Sequence, residues 1–224
     1  MLFQMTVEVE RKFVFSAETL ETLESIGVCV DQRQFHDQYF DTPEFNLTLR
    51  DMWLRKRKGC WELKCPMANS AEEPSEERPA DAALCTHYKE ISSLSEIYQR
   101  VKEVIKVDCE DREAETTPSQ EDCSWLSKLN LACFAEFTTT RRSFTLGEEG
   151  VKIDLDQADF GHHVGEIEVL IPEGGDVQLA QEKIRNAAKK LGVSGDERVD
   201  GKMTTYLKRY RPEHYAALLR ARVL

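Results

Sequence analysis

Apolar and charged residues alternate with a period of two in five stretches of this chain. In Thr6-Val7-Glu8-Val9-Glu10-Arg11-Lys12-Phe13 a strand sends Glu8, Glu10 and Lys12 to one face and Val7 and Val9 to the other. Residues 53–57 set Trp53, Arg55 and Arg57 against Leu54 and Lys56. Residues 61–64 set Glu62 and Lys64 against Trp61 and Leu63. Asp154 and Asp156 alternate with Ile153 and Leu155, and Glu166 and Glu168 with Ile167 and Val169. The pattern predicts strands over 5–14, 34–41, 50–57 paired with 60–65 through Lys58-Gly59, 87–92, 133–145 paired with 150–157, and 163–171 stopped by Pro172. The Asp41-Thr42-Pro43-Glu44 segment reads as a turn, and the second hairpin turns over 147–150.

Helical spacing takes over between these strands. Ser16 caps a predicted helix over 17–26, with Leu20, Leu23 and Ile26 inward and Gly27 as its stop. Ile97, Val101, Val104 and Ile105 recur on one helical face, and 124–131 forms a short helix around Trp125. Residues 177–191 give an amphipathic helix closed by Gly192. Met203, Tyr206, Leu207 and Tyr210 give another, and Pro212 opens a last one. Residues 67–84 are rich in Pro, Ala and acids without apolar periodicity and read as a mobile loop, and the acidic stretch 108–122 reads as loop. The sum is about eight strands with helices interspersed, in a single domain over 1–224.

A charged strand face is ordinarily just the solvated face of a sheet. The signs argue otherwise here. Acids gather with acids at 8/10, 154/156 and 166/168, and bases with bases at Arg55 and Arg57. Solvated sheets avoid like charges side by side, because they repel. Such clusters make sense when something of opposite charge fills the gap: Mg²⁺ or Mn²⁺ among carboxylates, phosphate oxygens among arginines. A closed eight-stranded barrel holds one small ligand, with its outward apolar faces covered by helices. The expected fold is therefore α+β, an eight-stranded antiparallel barrel with a polar, charged lumen.

Composition narrows the setting. Of 224 residues, 41% are hydrophobic, and no apolar run approaches the ~20 residues of a membrane span. Seven cysteines without paired spacing argue for free thiols in a reducing compartment, so a cytoplasmic protein is expected. The first residues lack the basic n-region of a secretion signal. The net charge is −11, but residues 66–123 hold fifteen acids against six bases, leaving 26 acids and 24 bases elsewhere. No basic field suits nucleic acid. The tail from Lys208 to Arg222 is basic, but Tyr215, Leu218 and Leu219 have the spacing of a packed helix. Cys60 and Cys65 point to opposite strand faces and make a poor zinc site, and His162 and His163 alternate faces likewise.

The ordered set of charged strands resembles the CYTH superfamily, the triphosphate tunnel metalloenzymes. Glu8-x-Glu10-x-Lys12 is similar to its E-x-E-x-K signature, Arg55-x-Arg57 to its R-x-R strand, and Trp61-Glu62-Leu63-Lys64 to the following strand. Arg142 matches the later arginine, Asp154-x-Asp156 and Glu166-x-Glu168 the two acidic strands, and Lys202 the lysine opening a C-terminal helix. The stretches 37–44, 53–57, 61–66 and 154–161 most resemble the animal branch that hydrolyses thiamine triphosphate. The resemblance implies a tunnel that binds a triphosphate with divalent metal, Mg²⁺ or Mn²⁺. Glu8, Glu10, Asp154, Glu166 and Glu168 are the expected metal ligands. Lys12, Trp53, Arg55, Arg57, Lys64, Arg142, Asp156 and Lys202 are the expected substrate contacts. Lys64 with Tyr39 is the expected proton-handling pair, and Trp53 is placed to stack on a cationic ring. A monomer without nucleic-acid or membrane partner is expected. An inorganic triphosphatase and a non-catalytic polyphosphate-binding module are the alternatives.

Overall fold

The computed structural model describes residues 6–67, 84–105, 123–147, 150–195 and 197–224. The loop readings at 67–84 (save its end residues) and 108–122 lie outside the described residues, as do Glu148 and Glu149 of the second hairpin turn. Eight described strands are β1 (Thr6–Phe13), β2 (Gly27–Asp41), β3 (Trp53–Arg57), β4 (Cys60–Pro66), β5 (Cys85–Ile91), β6 (Ala132–Leu146), β7 (Val151–Ala158) and β8 (His162–Pro172). They close into an antiparallel barrel in the order β1-β5-β4-β3-β2-β6-β7-β8. The helices are α1 (Ala17–Ile26), α2 (Leu94–Ile105), α3 (Ser124–Lys128), α4 (Val177–Lys190), α5 (Lys202–Tyr210) and α6 (Pro212–Arg220). None of them is long and apolar enough to cross a membrane.

The chain resolves into two compact units. The first comprises residues 1–34, 66–89 and 138–205. Its core joins Val7, Val9 and Phe13 of β1 to Ile153 and Leu155 of β7, Ile167 and Val169 of β8, and Ala180, Ile184 and Ala187 of α4. α4 packs across β1, β7 and β8. Asp176 starts it by accepting the Leu179 N–H at 2.9 Å. Gly165 stands opposite Phe13 in the β1–β8 register, and a Cβ there would lie 2.2 Å from the Phe13 ring. The aromatic ring thus fills the space a side chain would need. Ser16 and Thr19 cap α1 reciprocally, as the sequence predicts, and Leu23 is buried. Ile26 is instead 45% exposed, because Gly27 passes straight into β2. β2 is consequently twice the predicted length. Its first half, Val28 to Val30, lies exposed and carries no burial signal in the sequence.

The second unit comprises residues 35–65, 90–137 and 206–224. Its core gathers Leu54, Trp61 and Leu63 of the β3–β4 hairpin with Ile97 and Val101 of α2 and Trp125 of α3. Trp61 is fully buried, 5.0 Å from the Phe40 ring and edge-on to Trp125 at 4.9 Å. Lys58 and Gly59 both take positive φ, 50° and 83°, which suits the twist of a two-residue hairpin. The turn after β2 is built on the Asp41 carboxylate. It accepts the N–H groups of Thr42, Leu47 and Thr48 at 2.8–2.9 Å and the Thr48 hydroxyl at 2.7 Å. That hydroxyl, already donating to Asp41, accepts from His214 Nε2 at 2.7 Å. The His214 ring stacks on Phe45 at 3.9 Å, and its Nδ1 is buried without a hydrogen-bond partner.

A proton on Nδ1 would therefore be a buried donor with nothing to bond. Burial first, then nearby Arg211, push His214 down to about 4. The unfolded ring titrates near 6.5. Between these values the unfolded chain binds a proton that the folded chain refuses, so stability falls as pH falls from about 6.5 to 4. Burial holds Asp41 above its ordinary range despite its hydrogen bonds, which gives a contribution of opposite sign. His214→Phe is expected to lose less stability than wild type between pH 7 and pH 4.5 in urea unfolding. Equal losses in the two proteins would show that this ring is not the titrating group.

Candidate active site

In the first unit, strand parity brings carboxylates from three strands onto one face. β8 pairs with both β1 and β7, setting Glu10 directly opposite Glu168 and Asp154 directly opposite Glu166. Lys12 stands opposite Glu166, and Lys152 opposite Glu168. Glu10, Asp154, Asp156, Glu166 and Glu168 are all buried, and Asp154 and Asp156 wholly so. Glu8 is half-buried, beside Leu170 and Tyr88. Opposed carboxylates on neighbouring strands repel, the more so out of water. The cations of the same face offset that repulsion.

Arg141 is the central one. Its Nε and Nη2 grip Asp156 at 2.6 Å each, its Nη1 bonds Asp154, and Nη2 also reaches Glu166 at 2.8 Å. Ser143 Oγ donates to Asp154 at 2.6 Å. Lys202, at the first turn of α5, bonds Asp156 and reaches Glu166 at 3.1 Å. Lys152 joins Asp154 at 2.8 Å to Glu168 at 3.4 Å, and Lys12 bonds Glu10. Glu10 also accepts from the Thr86 hydroxyl at 3.2 Å. Burial works against the Lys202 charge, but Glu166 and Asp156 outweigh it and hold the ammonium above its ordinary pKa. The same balance keeps Arg141 firmly charged. Six carboxylates (Glu8, Glu10, Asp154, Asp156, Glu166, Glu168) and four cations (Lys12, Arg141, Lys152, Lys202) leave this face at a formal −2.

Arg142 is the correction. Its guanidinium lies on the other face of β6, bonding Glu24 of α1 at 2.7 Å and lying 5.2 Å over the Phe144 ring. Strand parity gives the reason. Arg142 shares its face with buried Phe144 and Leu146, so Arg141 and Ser143 take the charged face. That apolar pair was the legible signal for choosing between the two arginines. Lys152 was also legible, two residues before Asp154 in the same alternation.

The second unit holds the remaining expected residues. Arg57 makes two bonds to Asp37, at 2.5 and 2.6 Å, and lies 4.0 Å over the Phe35 ring. Arg55 bonds Glu62 at 2.5 Å and Glu90 at 3.0 Å. Burial works against the Arg55 charge, but Tyr39 and the three acids around it raise its pKa well above the usual value. Trp53 stands on the same strand face and is pinned by its indole N–H to Asp51 Oδ1 at 2.8 Å. Tyr39 is buried and stacks on Phe137 at 5.8 Å. The register puts Tyr39 beside Arg55 and Lys64 beside Trp53. β3 thus runs between the backbones of Tyr39 and Lys64, which lie about two strand spacings or ~10 Å apart.

Hard oxygen donors such as these carboxylates are the ligands Mg²⁺ and Mn²⁺ take. Among the described residues, no three His, Cys, Asp or Glu side chains stand together as an open metal cage. Arg141 instead binds Asp154, Asp156 and Glu166 together. The CYTH domain family matches residues 6–200. The chain belongs to the CYTH family. It is 36% identical to a Homo sapiens protein named thiamine-triphosphatase, over 96% of this chain and 90% of the relative. A Macaca fascicularis protein of the same name matches with the same identity and coverage. The CYTH fold also appears in solved structures. A Pyrococcus horikoshii protein aligns with TM-score 0.56 at 18% identity, over 90% of this chain and 98% of its own. The Hippeastrum protein HpAC1, described as having a dominant triphosphatase activity, aligns with TM-score 0.52 at 14% identity, over 92% of this chain and 96% of its own.

Removing the guanidinium that binds three carboxylates leaves them facing one another. Arg141→Met is expected to cost about 3–5 kcal/mol of folding stability, the usual effect of breaking a buried ion pair from one side. Arg142→Met, at a part-exposed position paired with an exposed Glu24, is expected to cost under ~1 kcal/mol. Denaturant unfolding of both variants measures the difference, and equal costs would place Arg141 outside the cluster's charge balance.

Proposed function

We propose that this CYTH protein hydrolyses thiamine triphosphate to thiamine diphosphate and phosphate, in a divalent-metal-dependent reaction. The observation that carries the reading is the 36% identity, over 96% of the chain, to relatives named for that activity. The buried carboxylate face supplies chemistry that such a reaction needs. Glu8, Glu10, Asp154, Glu166 and Glu168 would hold Mg²⁺ or Mn²⁺, which supplies charge neutralisation at the phosphate oxygens when bound. Lys12, Arg141 and Lys202 now bond carboxylates and would exchange them for phosphate oxygens, with Asp156 orienting Arg141 and Lys202. Arg55 and Arg57, held by Glu62, Glu90 and Asp37, are the proposed cations of the second unit toward the triphosphate. Arg142 keeps no part in this set.

Phosphoryl transfer needs little covalent chemistry from the protein. Positioned cations stabilise charge on the transferred group while water forms the new P–O bond and the anhydride oxygen leaves. Lys64 and Tyr39 remain the proposed proton handlers. Residues 1–224 are proposed to work as a single functional domain, as a cytoplasmic monomer without nucleic-acid or membrane partners. The cysteine content supports the reducing compartment.

The test is purified protein with Mg²⁺, or with Mn²⁺, and three substrates: thiamine triphosphate, inorganic triphosphate and ATP. Thiamine triphosphate is expected to give the highest kcat/KM, with activity lost in EDTA. A preference for inorganic triphosphate would make the protein a general triphosphatase, and binding without turnover would make it a polyphosphate-binding module.

Substrate choice within that panel is assigned to Trp53. The pinned indole presents a flat face on the strand side that also carries Arg55 and Arg57, two residues or roughly 6–7 Å along per step. Stacking of a partly desolvated thiazolium is worth ~1–2 kcal/mol, so Trp53→Ala should cut kcat/KM for thiamine triphosphate by ~5- to 30-fold. Hydrolysis of inorganic triphosphate should change little. Equal losses on both substrates would make Trp53 a packing residue.

A further inference from the structure

Arg11 lies between Glu10 and Lys12 in sequence but on the opposite face of β1, among Val7, Val9 and Phe13, and is 3% exposed. Its guanidinium bonds no carboxylate among the described residues. Its Nη2 donates instead to two backbone carbonyls, Gly195 at 2.5 Å and Val193 at 3.4 Å. These lie just past the end of α4, where Gly192 turns the chain at φ 69°. Carbonyls in this irregular segment have no helix or ladder partner, and a side-chain donor satisfies them. A buried cation is expensive, and an apolar side chain would fill the same space more cheaply. The bonds Arg11 makes are therefore the reason to have it.

Those bonds hold the segment that delivers Lys202. The same segment is fixed at its far end. His162 of β8 bonds the Asp200 carbonyl at 3.1 Å. At Gly201 a Cβ would lie 2.9 Å from Cε of Lys12. Gly201 does not take a positive φ, so its backbone suits any residue. What favours glycine there is the end of the Lys12 side chain lying on it. One strand thus touches the connection from α4 to α5 with both faces, Arg11 at Val193 and Gly195 and Lys12 at Gly201.

We infer that Arg11 is a positioning residue: by clasping the segment past α4 to β1, it sets the Lys202 ammonium in the carboxylate face, in register with Lys12 across Gly201. The inference rests on the reading of Lys12 and Lys202 as phosphate ligands, but its geometric half can be tested without activity. Brief acetylation with an N-hydroxysuccinimide ester, read by peptide mass spectrometry, reports how open Lys202 is. Arg11→Met should raise Lys202 labelling about fivefold through local opening, leave Lys152 unchanged, and be reversed in Arg11→Lys, which can still donate to a carbonyl. In kinetics, Arg11→Met should lower kcat/KM about tenfold. Arg11→Met/Lys202→Met should then be no worse than Lys202→Met alone, because the two act as a unit.

Unchanged Lys202 labelling with multiplying kinetic losses would overturn the inference. If Arg11→Met fails to fold, Gly201→Ala decides: its methyl meets the flexible end of Lys12, so it should raise KM by about three- to tenfold with an unchanged melting temperature. Unchanged KM there, with Lys202→Met itself impaired, would also overturn the clasp. Full activity in Lys202→Met would sink the phosphate-ligand reading alone, with the labelling result still deciding the clasp.

Discussion

Glu10 facing Glu168 and Asp154 facing Glu166 is the constraint on which much else in the first unit depends. β7 and β8 are buried on both faces, apolar residues toward α4 and carboxylates on the other side. Apolar burial fixes the register, because a one-residue slip would exchange the two faces. That register then forces like charges into opposition. An arrangement of this kind holds only if cations come to it. Arg141 arrives from β6, Lys152 from β7 itself, and Lys202 from a helix reached through the turn after α4. Their ion pairs make the face self-neutralising to within two charges. A divalent cation would bring it to formal balance.

The same arrangement bears on turnover. Each cation proposed for phosphate already has a carboxylate partner, so binding is an exchange of partners rather than the filling of an empty basic cleft. Desolvation of these charges is met on folding, which lowers what substrate binding must overcome. It also makes phosphate binding without metal unfavourable. Cations pulled toward phosphate would leave Asp154, Asp156 and Glu166 opposed and unneutralised. On the proposed function, metal and triphosphate would therefore be taken up together.

Much of this was legible in the sequence because alternation is a strong signal where both faces have distinct chemistry. Glu8, Glu10, Asp154, Asp156, Glu166 and Glu168 share a face because the valines, isoleucines and leucines between them are buried. Ser16, the β3–β4 turn and Gly192 were legible as local backbone chemistry. The reading failed where alternation was weak. In Thr138-Thr139-Thr140-Arg141-Arg142 five polar residues in a row hide the parity, and only Phe144 and Leu146 beyond it reveal which arginine turns in. Val28 and Val30 were missed as strand because the first half of β2 is exposed and shows no burial contrast. Ile26 misled for the converse reason: its helical spacing is right, but the helix ends before its position needs to be covered.

Arg11 shows a limit of a different kind. In an E-x-E-x-K alternation the intervening positions ought to be apolar, and Val7, Val9 and Phe13 obey. An arginine there breaks the local rule, and such breaks are where function or strain is expected. The partner that explains it lies more than 180 residues away, in backbone carbonyls that have no sequence signature. A side chain can be found by its chemistry and spacing, but a carbonyl becomes a ligand only through the path of the chain around it. The turn past α4 is thus a functional element although it contributes no catalytic side chain. Its shape, set by Gly192 and held by Arg11, is how the last cation, Lys202, reaches a face built by β1, β7 and β8.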